Sequence, residues 1–498
     1  MAVLSNTESL ISQVVSLISN FTTRVRSLIT IALVAIIVAL IWVLATTQVR
    51  ASRLLVIAPT AALLGLAILL LIVASFFQIR LRDEGNEVAS GGEFVIGCLL
   101  GRQTVSAGML RVRTSPGRIV PSGSHISIFT ERIILRLPET SRNSRQLCDE
   151  LVALIVRVME ESRNRPGFTY CSSIGVASPG IIDPRTGQLN ISVTLPEGTD
   201  IPRELARRIR AKDPHGAHLT FRRVAESEQT LAQHILVDND VRCIARYVLS
   251  EHQWEQFTCL YAGSGVGGAF VVDSQVYFGA HGGASHIGHL ELEAHTGRLL
   301  LATGQSLGPA ECDCGIFGFH LDAFANYGGF KRIVECIAAD EAYQVLHLIK
   351  EAQEKSGLTE SEFYRDAFPG IVATAGSRVP ANIAPDTREV LANTEQLEHL
   401  ARDVMRSYVG ILVAGLSTLT HTLDPGIIVI CGSLIERLQE NDLFAKYLRE
   451  SLPSHLVDSR TQPQLAPIVA KIADWQGAAL LAWDLGYQRR HTYLSGRK

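Results

Sequence analysis

Residues 257–279, FTCLYAGSGVGGAFVVDSQVYFG, contain the pattern that best indicates the fold. Two apolar runs rich in β-branched residues flank the turn Gly263-Ser264-Gly265-Val266-Gly267-Gly268, which predicts a β-hairpin. Glycine lets a ligand approach the backbone closely, and successive N–H groups can hold phosphate oxygens. A tight hairpin turn needs glycine as well. The stretch therefore predicts either a phosphate-binding turn or a purely structural hairpin.

The segments around this hairpin alternate between strand-like and helix-like patterns. Strands are predicted for EFVIGCLL (93–100), ISIFTERIILRL (126–137), CSSIGVASPG (171–180) and QHILVDND (233–240), and helical spacing follows at 145–163, 202–212 and 241–252. From residue 323 onward the pattern is mostly helical, with one late buried strand, PGIIVICGS (425–433). This alternation predicts the α/β class. Residues 355–396 are richer in proline, threonine and acidic residues, and we expect an insertion or a mobile segment there.

The N-terminal part of the chain is much more apolar than the rest. The chain has 498 residues, 47% of them hydrophobic, and residues 28–47 and 54–78 carry no charge. Each stretch is long enough to cross a hydrocarbon core, and their number and length argue against a cleaved signal peptide. We expect a transmembrane hairpin at 28–81, preceded by an amphipathic helix at 1–27 that lies on the membrane or binds a partner, and followed by a linker at 82–92. Four arginines flank the outer ends and two lie between the spans, which predicts a multi-pass protein whose later domain faces the cytoplasm (Arg24, Arg26, Arg80, Arg82; Arg50, Arg53).

The charge balance and the cysteines narrow the function classes. A net charge of −3 gives no reason to expect a nucleic-acid partner. The nine cysteines are scattered and odd in number, so we expect reduced thiols. Only Cys312 and Cys314, in the segment CDCGIFGFH (312–320), are close enough to suggest a metal site.

Two further groups of residues could carry chemistry. Asn239 and Asp240 end a predicted strand and begin a predicted helix, where Asp240 could be a general base for a sugar hydroxyl or simply a helix N-cap. His286 and His289 follow a loop rich in glycine and alanine, and His289 could join Cys312 and Cys314 as a metal ligand.

The order of these motifs resembles the ROK family of bacterial sugar kinases and sugar-responsive repressors. The motifs are GVASPGIIDPRTG, VDND, GSGVGG, GAHGGASHIGH, CDCGIFGF and LDPGIIVICGS, and the resemblance covers residues 93–487. It implies the actin-like (ribonuclease H-like) ATPase fold with two α/β lobes, here expected at 93–240 and 241–498. It also implies a cleft for sugar and for ATP with Mg²⁺, and a homodimer.

The resemblance assigns roles residue by residue. Asp240 matches the catalytic base, Asn239 a sugar-binding residue, and His289 a zinc ligand that borders the sugar. Phosphate or ATP contacts are implied for Gly101, Gly263, Ser264, Gly265, Gly267, Gly268 and Gly432. Cys312 and Cys314 match the first two zinc-binding cysteines.

Several positions depart from the family pattern. The first phosphate loop, approximately Asp-x-Gly-Gly-Thr in the family, reads Leu99-Leu100-Gly101-Arg102-Gln103. The sugar-binding glutamate before Ile-Gly-His is His286, and a second one falls on Leu321 unless Asp322 takes its place. The third zinc cysteine is Phe319, so zinc would need His320, a water or another group as its fourth ligand, and the alternative is that no stable zinc is bound.

Three functions follow from this pattern. The joint losses favour a membrane-anchored, degenerate kinase that acts as a sugar-binding sensor or interaction module, because phosphoryl transfer depends on preorganised phosphate contacts. The alternative is an active ATP-dependent kinase of a hexose or amino sugar, with Asp240 as the base. A ROK-type transcription regulator is the third, but those proteins carry an N-terminal helix-turn-helix where this chain has the two apolar stretches.

Overall fold

A computed structural model describes residues 92–494 except 102–103, 114–125, 138–143, 184–185, 193–194, 213–226, 293–296, 341–344, 374–394, 440–441, 457–462 and 467–472. In this part of the chain, no helix has both the length and the apolar character that a membrane span requires. The predicted helix at 1–27 and the predicted spans at 28–81 lie outside the described residues. Membrane attachment therefore stays a prediction.

The first sheet has the order β3-β2-β1-β4-β7. Strands β1, β2 and β3 pair antiparallel, whereas β4 and β7 continue the sheet in parallel (β1 Glu93–Leu100, β2 Thr104–Val112, β3 Ile126–Arg136, β4 Cys171–Ser178, β7 Ile235–Asn239). A short pair, β5 (Ile181–Ile182) with β6 (Leu189–Ile191), follows β4. The central strands are buried on both faces, as their nearly continuous apolar sequences predict.

The second sheet repeats this arrangement. Its order is β10-β9-β8-β15-β16, with antiparallel pairing among β8 to β10 and parallel pairing of β8 with β15 and of β15 with β16 (β8 Phe257–Ala262, β9 Val266–Val272, β10 Gln275–Val276, β15 Ile427–Cys431, β16 Gln464–Ala466). The opening stretch of sequence thus forms the predicted hairpin. Two smaller hairpins follow it, β11 with β12 and β13 with β14 (Leu299–Leu300, Ser306–Leu307, Ala310–Glu311, Phe317–Gly318).

Helices cover the two sheets. In the first half they are α1 (Ser144–Arg163), α2 (Ile201–Lys212), α3 (Glu228–Ala232) and α4 (Asp240–His252). In the second half they are α5 (Leu321–Ala325), α6 (Tyr327–Ala338), α7 (Leu346–Ser356), α8 (Glu360–Glu362), α9 (Phe368–Ala373), α10 (Glu395–Leu423), α11 (Ser433–Leu438), α12 (Leu443–Ser451) and α13 (Ala473–Leu494). Short 3₁₀ turns occupy Ile287–His289 and Leu452–His455, and a π-helical segment occupies Phe363–Ala367.

The last helix returns to the first sheet. The boundary predicted at residue 240 assigned α13 to the second lobe by chain order, but α13 packs against β1, β4 and α4. Gly477 permits this close approach, because a Cβ at that position would collide with the carbonyl of Cys243 in α4. Leu481 and Ala482 extend the contact into a core shared with Cys243 and Ala177.

The segment expected to be an insertion or mobile divides into two parts. Its described beginning, up to Ala373, is mostly helical and buries Phe363 and Phe368 completely in the core of the second half. Residues 374–394 lie outside the described part of the chain.

Candidate functional site

Asp240 is the first residue of α4, directly after β7 ends at Asn239. The sequence predicts either a general base or an N-cap at Asp240, and the structure gives the N-cap role to Asn239 instead. Asn239 is the N-cap, since its side-chain oxygen accepts hydrogen bonds from the N–H groups of Val241 (3.0 Å) and Arg242 (3.3 Å). Its Nδ2 donates to the Gly180 carbonyl at 3.2 Å. The Asp240 carboxylate accepts a hydrogen bond from the Val241 N–H at 2.9 Å and also interacts with its own backbone N–H.

The environment of Asp240 suits a proton acceptor. Burial raises the pKa of its carboxyl to about 6, and the negative charge of Asp474 raises it as well, against the opposing Val241 N–H and Arg242 charge. A carboxyl with this pKa is ionised near neutral pH yet binds a proton more readily than an exposed aspartate.

Asp474 lies close to Asp240 because their helices run in parallel from the same end. Gly477, three residues after Asp474, contacts Cys243, which is three residues after Asp240. Further along the two helices, Asp484 forms an ion pair with Arg246 at 3.7 Å. Asp474 also forms an ion pair with Arg132 of β3 at 3.3 Å. Arg132 Nε donates to Ser106 Oγ at 2.9 Å, so this pair crosses the surface of the first sheet.

The glycine-rich turn connects β8 to β9 opposite this site. Gly263 N–H donates to the Gly265 carbonyl at 2.9 Å, which closes the turn, and Tyr327 N–H donates to the Gly263 carbonyl at 3.0 Å. Ser264 and Gly265 keep their N–H groups without a partner among the described residues. Gly267 and Gly268 belong to β9, where their lack of a side chain leaves room for Val241 and Ile287. The turn is therefore both a structural hairpin and a backbone surface that could take phosphate.

Gly432 and Ser433 lie beside the same turn. Gly432 has φ 118°, a conformation that favours glycine, and it precedes α11. A Cβ on Gly263 would stand 2.7 Å from both Ser433 Oγ and Tyr261 Oη. Gly432, for which the family resemblance implies a contact with ATP, therefore lies next to the predicted phosphate turn.

Asp322 connects this turn to the metal-ligand segment. Its Oδ1 accepts a hydrogen bond from Val266 N–H at 2.5 Å, and its Oδ2 lies 3.7 Å from Cys312 Sγ. The side chain is buried, and burial raises the pKa of its carboxyl. Leu321, its neighbour, is fully buried instead and packs against Gly415.

The two predicted histidines lie at the 3₁₀ turn Ile287–His289, whose N-cap is His286. Their rings lie 6.3 Å apart and nearly parallel, with an interplanar angle of 17°. Burial lowers the pKa of His286 to about 4, assisted by the positive charges of Arg242 and His289, so His286 is neutral at physiological pH. Arg242 donates to the Gly282 carbonyl at 2.7 Å and thereby holds the loop that leads to His286.

Four potential metal ligands converge at the β13–β14 hairpin. One ligand atom from each of His289, Cys312, Cys314 and His320 lies within 4.8 Å of every other. The distances are 3.5 Å between Cys312 Sγ and His289 Nδ1, and 3.4 Å between Cys314 Sγ and His320 Nδ1. A tetrahedral zinc with bonds of about 2.0–2.3 Å has S···N edges of about 3.5 Å, and these two S···N distances match that value. Phe319, at the expected third-cysteine position, stacks on Phe324 instead.

The sequence of residues 126–484 matches the ROK family, which is more than half of the 498-residue chain. The chain belongs to the ROK family. Among ROK relatives, an N-acetyl-D-glucosamine kinase from Mannheimia succiniciproducens is 21% identical over 343 residues, covering 68% of this chain and 88% of the relative.

Solved ROK structures share the fold. A ROK family glucokinase from Streptomyces griseus, solved in complex with glucose and AMPPNP, aligns with a TM-score of 0.51 at 15% identity, covering 79% of this chain and 99% of that one. A ROK family transcriptional regulator, a homologue of the E. coli MLC protein, aligns equally well at 16% identity over 80% of this chain and 79% of that one. The expectation of the actin-like α/β fold is thereby confirmed.

One departure from the ROK pattern falls in the first phosphate loop. Leu99 packs with Ala177 and Ala478, and it pairs with Ser106 in the sheet. Gly101 N–H donates to the Thr104 carbonyl at 2.9 Å, so this N–H already has a hydrogen-bond partner. Arg102 and Gln103 lie outside the described residues.

Sequence reasoning did not identify Arg132, Arg242 or Asp474 as parts of this site. Arg132 and Asp474 are 342 positions apart, and no local pattern links them. Arg242 was detectable in principle, since an arginine four residues after Asp238 in a helix-opening segment predicts an ion pair.

Proposed function

We propose that this chain is an ATP-dependent ROK sugar kinase in which Asp240 accepts the proton of the sugar hydroxyl. The position and environment of Asp240 support this function more than any other observation. The carboxylate opens α4 between the two sheets, its pKa of about 6 suits a base near neutral pH, and Asn239 takes over the capping role that would otherwise occupy it.

In the proposed reaction, Asp240 takes the proton of a sugar hydroxyl while that oxygen forms a bond to the terminal phosphorus of ATP. The bond from this phosphorus to the β,γ-bridging oxygen breaks, and ADP leaves. Bound ATP supplies the phosphoryl group, and Mg²⁺ supplies charge neutralisation on its phosphates. The turn amides of Ser264 and Gly265 offer hydrogen bonds to phosphate oxygens. His286, neutral at pH 7, offers the sugar a hydrogen-bonding ring in place of a carboxylate.

We infer an N-acetylated amino sugar as the first substrate to test, because the relative from Mannheimia succiniciproducens bears that activity in its name. Purified full-length protein should form ADP from ATP only when N-acetyl-D-glucosamine, another N-acetylhexosamine, glucose or mannose is added. Asp240→Asn should abolish this turnover, and Asp273→Asn, a substitution in an exposed turn, should leave it unchanged. The absence of sugar-dependent ADP with every sugar would contradict the proposal.

A second candidate is a degenerate kinase that binds sugar without transferring phosphate. Leu99 favours it, because an apolar side chain in the hydrophobic cluster occupies the position of the usual loop aspartate. The two functions differ in one observable. A sensor shows a sugar-dependent thermal shift with no ADP formation, whereas the kinase shows both.

We also propose that His289, Cys312, Cys314 and His320 hold one zinc ion. The fit of the S···N distances to a tetrahedron supports this assignment. Zinc would stabilise the thiolate form of Cys312, whose pKa is raised to about 12 by burial in the metal-free protein. The ion would fix the hairpin that carries Asp322. Homodimerisation, which the family resemblance implies, stays a prediction that light scattering can test.

A further inference from the structure

Three arginines surround Asp366 at the border between the two halves of the protein. Arg365 donates to Asp366 Oδ2 from Nε (3.0 Å) and Nη2 (2.8 Å), and Arg437 Nη2 donates to Oδ1 at 3.3 Å. Arg136 at the end of β3 forms an ion pair with Oδ2 at 3.6 Å. These four residues are the arginine cluster. It joins the edge of the first sheet to α11 and to the π-helical segment of the second half.

The arginine cluster lies beside the glycine-rich turn. Arg437 is in α11, the helix that starts at Ser433. Tyr327, whose N–H donates to the Gly263 carbonyl, provides the link. Burial raises the pKa of the Tyr327 hydroxyl, and Ser433 forms a hydrogen bond with it, while Arg437, Asp366 and Arg365 act on it through their charges. Tyr327 and Ser433 therefore connect the cluster with the glycine-rich turn.

The arginine cluster carries more positive than negative charge. Within the cluster one carboxylate pairs with three guanidinium groups, and Glu362, whose side chain accepts hydrogen bonds from Thr359, acts on Arg365 through its charge. The side chains are partly accessible, with 61% exposure for Arg136, 27% for Arg437 and Asp366, and 18% for Arg365. Such a surplus of guanidinium groups is typical of phosphate recognition, because the planar donors match phosphate oxygens.

The backbone at this point is unusual as well. Arg365 and Asp366 lie in a π-helical segment, Phe363–Ala367, that interrupts the run from α8 to α9. Single π-helical turns are frequent at functional sites. The first phosphate loop, meanwhile, offers Leu99 in place of the carboxylate that lies near the Mg²⁺–phosphate region in the family.

We propose that the arginine cluster binds the polyphosphate chain of a nucleoside di- or triphosphate directly, so that nucleotide binding does not require a divalent cation. For binding, the arginines supply positive charge to the phosphates, while the altered first loop lacks the carboxylate of the family pattern. Because Arg136 comes from the first sheet, the bound phosphates also draw the two halves together. The inference rests on the proposed function only in taking a nucleotide as the phosphoryl donor.

Calorimetry on the full-length protein tests this inference. ATP and ADP should bind in EDTA with a Kd within about threefold of the value in Mg²⁺, and AMP should bind at least about tenfold more weakly, since each charge-assisted contact is worth roughly 1.5–3 kcal/mol. Inorganic tripolyphosphate should compete with ATP, and higher salt should weaken binding. Strict dependence on Mg²⁺, equal binding of AMP, or lack of competition would each overturn the proposal.

Variants give an independent test. Arg365→Gln and Arg437→Gln should each weaken ATP binding in EDTA by about tenfold or more, and Arg437→Lys should lose less because the charge remains. Arg402→Gln is the matched control, since Arg402 is an exposed arginine that pairs with Glu398 within α10 and with no residue of the cluster. Circular dichroism establishes that each variant is folded. Unchanged affinity in Arg437→Gln overturns the proposal.

The outcome is separable from that of the proposed kinase function. Binding without Mg²⁺ in a protein that transfers no phosphate supports the arginine cluster and contradicts the kinase. Sugar-dependent transfer in a protein whose ATP binding requires Mg²⁺ contradicts the arginine cluster alone.

Discussion

Asp322 Oδ1 accepts the backbone hydrogen bond of Val266 at 2.5 Å, and this contact ties the metal-ligand hairpin to the glycine-rich turn. Asp322→Asn keeps an acceptor at this position, whereas Asp322→Ala removes the acceptor of a partly buried N–H. We expect the alanine variant to lose about 1–3 kcal/mol of unfolding free energy and the asparagine variant to lose less. Denaturant unfolding of both variants measures the difference.

Leu321→Glu is the companion test. It places a carboxylate where the family pattern has one, but at a fully buried site against Gly415. We expect strong destabilisation and no gain in sugar affinity. A gain in affinity for N-acetyl-D-glucosamine would show that residue 321, and not Asp322, corresponds to the sugar-binding glutamate of the family.

The pH dependence of turnover should follow Asp240. Its carboxylate form is the base, so kcat/KM should fall about tenfold per pH unit below about 6. The charged and titratable groups around it are Asp474 on α13, Arg242 on α4 and Tyr261 on β8. Asp474→Asn removes the neighbouring negative charge and should shift the midpoint to lower pH. An unchanged midpoint would show that another group controls the profile.

The stability of the folded protein should also depend on pH through Asp240. The folded pKa of Asp240 lies above its ordinary value, so the folded state holds this proton more tightly than the unfolded state does. Protonated Asp240 therefore contributes to the stability of the folded state below about pH 4, and this contribution is lost as the pH rises through about 6. Asp240→Asn should raise Tm relative to the natural protein at pH 7.5 and lose this advantage at pH 4. Thermal unfolding at both pH values measures it.

Zinc content should depend on His320. We expect one zinc per chain in the purified protein, retention in His320→Cys, and loss in His320→Ala, because three ligands hold the ion less well than four. Cys336→Ala is the control, as Cys336 is half-buried and outside the ligand group. Elemental analysis decides the matter, and a parent protein without zinc would refute the assignment.

The ion pair between Asp238 and Arg242 should be among the most sensitive contacts in the first half. Both side chains are 1% exposed and the Oδ1···Nε distance is 2.6 Å. Arg242→Met removes the nearer of two arginines paired with this buried carboxylate, since Arg246 lies 3.6 Å from its Oδ2, and should cost about 3 kcal/mol. Arg207→Met, which removes an exposed pair with Glu204, should cost less than about 1 kcal/mol. Similar losses in the two variants would contradict this difference.

The elements that sequence patterns predicted correctly are those with strong local signals. β1, β4, β7 and β15 are apolar runs, and the turn between β8 and β9 is marked by its glycines. The paired sheet orders required the family resemblance, because local patterns carry no information on which strands are neighbours.

Local sequence patterns did not predict which of two neighbouring residues lies in the core and which lies at the candidate site. Successive residues on a helix point about 100° apart, so the choice between Leu321 and Asp322 depends on which one the core beneath Gly415 accepts. The arginine cluster was equally hidden. Arg136, Asp366 and Arg437 come from three distant segments, and only the folded chain brings them together.

The return of α13 to the first sheet has a consequence for biosynthesis. Strands β1 and β4 leave the ribosome early, yet the helix that covers one of their faces consists of residues 473–494. Contacts of such long sequence separation form slowly, and the uncovered strands remain prone to aggregation until residues 473–494 have been synthesised. Chains that stop before residue 473 should therefore depend on chaperones, even though every residue of the first sheet has already been made.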